Sequence, residues 1–130
     1  MRHLAFLIGE RLMAVPVPQT EGIIAVVPIR PTPGLRPAFR GLIHWHDRIV
    51  PVVGILPPIA ANQLIILATR RGPLANEATE ILGIHPDNAI EHQEPAPPDS
   101  PPYHAGEAIL RKKSHALLDA EGVAEWAFSS

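Results

Sequence analysis

Apolar residues along the chain fall into short runs separated by glycine, proline and small polar groups. His3-Leu4-Ala5-Phe6-Leu7-Ile8 and Arg11-Leu12-Met13-Ala14-Val15-Pro16-Val17 flank the pair Gly9-Glu10. Two apolar runs around a glycine-containing pair predict a β-hairpin. Pro16 and Pro18 place the end of its second strand at an edge or outside the sheet. Gly22 and Ile23-Ile24-Ala25-Val26-Val27 predict a turn or helical stub, then a third strand. Gly41-Leu42-Ile43-His44-Trp45 and Ile49-Val50-Pro51-Val52-Val53 flank His46-Asp47-Arg48 and predict a second hairpin. Leu64 to Thr69 reads as a fully apolar strand. Leu74 to Ile84 is compatible with a helix by propensity alone. Glu107 to Leu110 and His115 to Leu118 flank the basic turn Arg111-Lys112-Lys113 as a last hairpin. Asp119 is placed to cap a terminal helix over Ala120 to Phe128.

Proline sharpens this picture. It accounts for 16 of the 130 residues, which excludes a mostly helical protein, because proline lacks the backbone donor a helix needs. Four prolines between Pro28 and Pro37 make a rigid connector, and Pro57-Pro58 marks a break over residues 56–62. Pro95 to Pro102 holds five prolines in eight residues and reads as a loop. Short strands with turn chemistry between them indicate small barrels or a sandwich. A barrel of about 60 residues is marginal alone, so two would pack together.

Composition removes several functions. There is no cysteine, so disulfides, zinc–thiolate sites and thiol nucleophiles are ruled out. No apolar run reaches the roughly 18 residues of a membrane span, and no signal peptide is expected, so the default location is cytoplasmic. The net charge of −2 hides an imbalance: residues 1–71 carry eight Lys/Arg against three Asp/Glu, residues 72–130 three against ten. A basic half that docks on an acidic partner is one reading, and chance over a solvated surface is the other. No phosphate loop, His-Glu-x-x-His or Gly-x-Ser-x-Gly motif is present, and no serine has a general base nearby in sequence. His44 and His46 share a strand face, but two ligands without a third hold a metal only adventitiously.

The segment Pro31-Thr32-Pro33-Gly34, then Arg40-Gly41-Leu42-Ile43, then Ile49-Val50-Pro51-Val52-Val53 resembles the CheW-like family of chemosensory adaptors. Phe6 to Pro16 resembles the family's opening hairpin, Glu80 to Ile84 its Gly-aliphatic strand, and His115 to Asp119 its closing strand. The resemblance spans nearly the whole chain, in order. It implies an all-β fold of two small five-stranded SH3-like β-barrels packed together, with a short C-terminal helix. Residues 1–130 would form one domain, with sub-barrels over about 10–62 and 63–130 and the first strand free to cross between them. It further implies a non-catalytic scaffold, with no cofactor, that couples a chemoreceptor's cytoplasmic tip to the regulatory domain of a CheA-like histidine kinase. Chemotaxis and pilus-driven motility both use such scaffolds.

By approximate alignment the family's contact regions fall on Thr20, Ile23, Gly41, Ile43 and His46. Core packing is the competing expectation for Ile23 and Ile43, and backbone geometry for Gly41. The chain also departs from the family. An Asn-Leu-Arg-Gly turn is replaced by His44-Trp45-His46-Asp47, so the contact arginine is His46. Gly54 replaces the aspartate after the Val-Pro-Val strand, and Thr79 stands where aspartate is usual. The other class weighed is a divergent small-barrel module, binding single-stranded nucleic acid through Arg30, Arg36, Arg40 and Arg48 with Phe39 and Trp45. The pI of 6.4, the acidic second half and the 5% aromatic content argue against nucleic acid.

Overall fold

The computed structural model describes residues 1–25, 27–30, 34, 36–55 and 61–129. Residues 31–33 and 35 of the connector and residues 56–60 of the predicted break lie outside them. Eleven strands form two sheets. The five-stranded sheet contains β3 (Thr20–Ala25), β4 (Phe39–Trp45), β5 (Arg48–Val53), β6 (Gln63–Leu67) and β7 (Leu74–Ala78) in the order β3-β6-β7-β5-β4. The six-stranded sheet contains β1 (His3–Ile8), β2 (Arg11–Pro16), β8 (Glu80–His85), β9 (Ile90–Pro95), β10 (His104–Leu110) and β11 (Lys113–Leu118). Its order is β8-β1-β2-β11-β10-β9. Among the described residues one α-helix, α1 (Ala120–Ser129), follows.

All three predicted hairpins form. In the first, His3 pairs with Pro16 and Ile8 with Arg11, around the Gly9-Glu10 turn. The sheet boundary does not fall at residue 62/63. β6 and β7 pair with β3 and β5, so the chain enters the six-stranded sheet with β1–β2, leaves it for β3–β7, and returns at β8. The stretch of helical propensity, Leu74 to Ile84, is two strands. β7 sits between β6 and β5 with every residue buried, and that pairing on both edges overrides local preference. β9 has no apolar alternation to announce it. It is an exposed edge strand held by its ladder to β10.

One backbone design appears in both sheets. The β4–β5 hairpin and the β10–β11 hairpin are each bulged near their first residues, at Phe39/Gly41 and His104/Gly106. Each turns through two non-glycine residues with positive φ, His46-Asp47 and Arg111-Lys112. Each second strand then runs parallel to a strand from elsewhere in the chain: Val52 beside Ala75, Leu117 beside Ala14. The same spacing separates Gly41 from Gly106, His46 from Arg111 and Val52 from Leu117. Gly41 and Gly106 (φ 151° and 145°) let a neighbouring backbone approach, and a Cβ there would overlap the carbonyl oxygens of Arg30 and Glu94.

Three apolar clusters hold the layers. The largest joins the sheets: Leu4, Phe6, Met13 and Val15 meet Val53, Ile65, Leu67 and Leu74, and Val123, Ala124 and Ala127 of α1 complete it. A second belongs to the five-stranded sheet, with Ile43, Val50, Val52, Leu64 and Ile66. The third, Ala14, Ala108, Leu110 and Leu117, lies on the other face of the six-stranded sheet. Asp119 caps α1 as expected, its Oδ2 accepting from the Gly122 amide at 2.8 Å. Gln19 ties that cap back to the turn before β3, its Oε1 accepting from the Ala120 amide at 2.7 Å.

Candidate functional site

The five predicted contact residues all lie on the five-stranded sheet, but they do not share one surface. β3 alternates between half-buried and exposed positions, so Ile24 packs inward while Ile23 stands out at 41% exposure. Thr20 opens the strand, and its hydroxyl donates to the Val17 carbonyl at 2.8 Å, closing the preceding 3-10 turn. His46 occupies the hairpin tip, exposed, with φ 48°. Its ring meets the Trp45 indole edge-on, with centroids 4.5 Å apart. Trp45 in turn packs on the sheet's own cluster, and a Cβ at Gly22 would lie 3.6 Å from its indole. The Trp45 indole near the tip of β4–β5 therefore lies beside Gly22 of β3, the opposite edge strand.

Ile43 and Gly41 face inward. Ile43 is 2% exposed in the core of this sheet, and Gly41 is buried where the Arg30 backbone crosses β4. Neither is available to a partner, because the alternation that buries Trp45 buries them too. The accessible surface is Ile23 and His46, with His44, which the pattern set on one face with His46, and Ile49, which it did not single out. Ile49, beside the tip, is 63% exposed, and His44 pairs with it across the hairpin. A long aliphatic side chain left in water beside an aromatic-backed turn is the usual makeup of a contact patch.

Beneath this surface runs a strut that sequence reading did not find. Arg40 Nε on β4 donates to Glu77 Oε1 on β7 at 3.1 Å, with the two side chains only 22% and 10% exposed. A Cβ at Gly54 would overlap the Arg40 guanidinium. The guanidinium fills the space beside Gly54 on its way to Glu77, so any side chain at 54 would have to displace it. Thr79 has a comparable local role. Its hydroxyl accepts from the Gly9 amide at 2.7 Å, and its own amide donates to the Leu7 carbonyl, fastening the first hairpin to the β7–β8 connection. Of the predicted basic cluster, Arg40 is thus structural. Phe39 packs on the large core and against Phe128, and Trp45 on the smaller one. Among the described residues no three His, Asp or Glu side chains gather as a metal site.

A family model described as CheW-like domain matches residues 2–128. The chain belongs to the CheW-like family. Members are scaffold adaptors that couple chemoreceptors to a histidine kinase in chemosensory signalling, and this chain is a scaffold of that kind. The fold agrees: the scaffolding protein TtCheW from Thermoanaerobacter tengcongensis superposes with a TM-score of 0.80 at 17% identity, over 94% of this chain and 90% of that one. No curated protein sequence matches the chain. The two-sheet layout with one terminal helix is the CheW fold, with six strands in one sheet where five were expected in each.

Proposed function

We propose that this CheW-like chain acts without catalysis in the cytoplasm, joining the regulatory domain of a CheA-like kinase to a chemoreceptor's cytoplasmic tip. The five-stranded sheet supplies the contact surface, with Ile23 as apolar anchor and His46 as polar tip. Thr20, Gly41 and Ile43 support that surface from within: Thr20 ends the turn before β3, and Gly41 and Ile43 seat β4. The observation that carries the reading is the exposure of Ile23 and Ile49 on a sheet whose other large aliphatic side chains are buried or half-buried. Among the described residues no helix is long and apolar enough to cross a membrane.

Isothermal titration of the full chain against the cognate kinase regulatory domain and a receptor tip fragment tests this. Ile23→Asp places a charge where an apolar contact is desolvated, and should weaken one of the two complexes by about tenfold or more. His46→Ala should weaken the same complex. Unchanged affinities for both partners in both variants, with unchanged melting points, would overturn the reading.

A further inference from the structure

The six-stranded sheet carries a pocket that the coupling surface does not use. Alternation from the large core puts Ala5 and Leu12 on the sheet face that also carries Leu110 and Leu117. On that face, at the β10–β11 turn, a cavity of about 260 Å³ opens. Its apolar part is Ala5, Leu12, Leu110 and Leu82 of β8. Its polar part is four basic side chains: His85, Arg111, Lys113 and His115. No Asp or Glu is among the described residues that line it.

Two acids of the flanking strands hydrogen-bond to groups at the turn. Glu91 Oε1 accepts from the Lys112 amide at 3.1 Å and so braces the turn, and Glu107 Oε2 accepts from the Ser114 hydroxyl. His115 is 5% exposed and its Nδ1 donates to the Lys113 carbonyl at 3.0 Å, which fixes the ring against the turn. Burial, and then the neighbouring Arg111 and His115, push the His85 ring below the usual histidine range.

The occupant follows from size, charge and edge. Pockets for small organic ligands run to about 300–1,000 Å³, so this one is sized for one or two side chains rather than a cofactor. Beside it β8 ends the sheet order with no strand on its outer side, and it exposes Leu82 and Ile84 at 44% and 51%. An extended segment laid along such an edge offers alternate side chains to one face. We infer that the Arg111–Lys113–His115 pocket together with β8 binds an acidic, aliphatic-rich peptide segment of another protein. One carboxylate sits among the basic side chains and a flanking aliphatic side chain lies on Leu82. This goes beyond the coupling reading and uses the other sheet.

The probe is the acetylated, amidated pentapeptide Glu-Leu-Glu-Leu-Glu, titrated into the isotope-labelled full chain and followed by amide NMR shifts. Saturable shifts should centre on Leu82, Leu110, Lys113 and His115. The Gln-Leu-Gln-Leu-Gln peptide, and inorganic phosphate at matched ionic strength, should each bind at least about tenfold more weakly, the scale of one charged hydrogen bond plus an apolar contact. The double variant Arg111→Asn with Lys113→Gln should lose at least as much. Asparagine tolerates the positive φ at residue 111, so the fold is kept and an intact spectrum checks it. Equal binding of the two peptides, shifts centred elsewhere, or full binding by the folded double variant would each overturn the inference. Phosphate binding as tightly as the peptide would also overturn it, marking a small-anion site instead.

Discussion

Replacing Gly54 by alanine tests whether the Arg40–Glu77 strut dictates the residue at 54. Gly54 has no left-handed φ, so its backbone accepts a Cβ, and shortening the unfolded chain's conformational list would by itself stabilise by about 0.4–1 kcal/mol. The methyl, however, overlaps the Arg40 guanidinium, which must swing away from Glu77. Glu77, 8% exposed, is then a buried carboxylate without its cation. Losing a charged hydrogen bond of this kind costs about 1.5–3 kcal/mol. The pair is not fully dry, since Arg40 retains 22% side-chain exposure, so the lower half of that range applies. Less the unfolded-state gain, the expected net loss is about 0.5–2 kcal/mol, or about 2–7 °C in melting temperature for a domain of this size. In an Arg40→Ala background nothing occupies the space, and Gly54→Ala should be neutral or stabilising. Urea midpoints of the four proteins, at unchanged slope, close the cycle. An equal cost of Gly54→Ala in both backgrounds, or no cost in wild type, refutes the reasoning.

Gly106→Ala should cost more than Gly54→Ala, because the atom it meets is the Glu94 carbonyl oxygen rather than a movable side chain; denaturant midpoints compare the two directly. Gly122→Ala should likewise loosen α1, since its Cβ overlaps the Pro102 carbonyl, whereas deleting residues 96–99 of the same loop should shift the melting point little, loop-closure entropy changing by only about 0.6 kcal/mol per doubling of length. His3 and His85 both have ring pKa values lowered in the fold, chiefly by burial. The unfolded chain therefore binds more protons below about pH 6.5, and stability should be full above that pH and fall as the pH drops through it, before carboxylates titrate. A melting temperature flat from pH 7.5 to 5.5, or a slope unchanged in His3→Gln, would contradict this.

The hairpins were legible because each combines alternating or continuous apolar runs with a short turn, and the helix because Asp119 precedes it. β7 was not, because Ala75-Asn76-Glu77-Ala78 carries helical propensity and only the flanking strands make it a strand, whereas β8 showed only through the family's Gly-aliphatic strand over Glu80 to Ile84. β9 lacked any pattern, since a strand exposed on its side chains needs only backbone partners. At the site, Ile23 and Ile43 look alike in sequence: both are isoleucines in short apolar runs. What separates them is register. Ile24 next door is turned into the core, so Ile23 must face out, whereas Ile43 alternates with exposed His44 and so faces in. Arg40 and Glu77 stand on strands with β5 between them, and no local signal couples them.

The two hairpin tips tie these threads together. A two-residue turn with positive φ at both positions favours Asn-Gly or Gly-Gly, and other residues held there cost about 1–2 kcal/mol per residue, less for Asp. Yet both copies of the design keep side chains at these positions: His46-Asp47 (φ 48° and 61°) and Arg111-Lys112 (φ 50° and 65°). Glycine would suit the backbone better and would present nothing. The proposed roles of the tips, one at the coupling surface and one at the basic pocket, would account for side chains kept against backbone preference. Swapping each tip for Asn-Gly separates the two demands. Each swap should raise the melting temperature, by strain relief. The first should weaken only the kinase or receptor complex, and the second only the acidic peptide. A swap that stabilises and leaves both kinds of binding intact would show the tip to be a plain turn, and would withdraw the role assigned to its side chains.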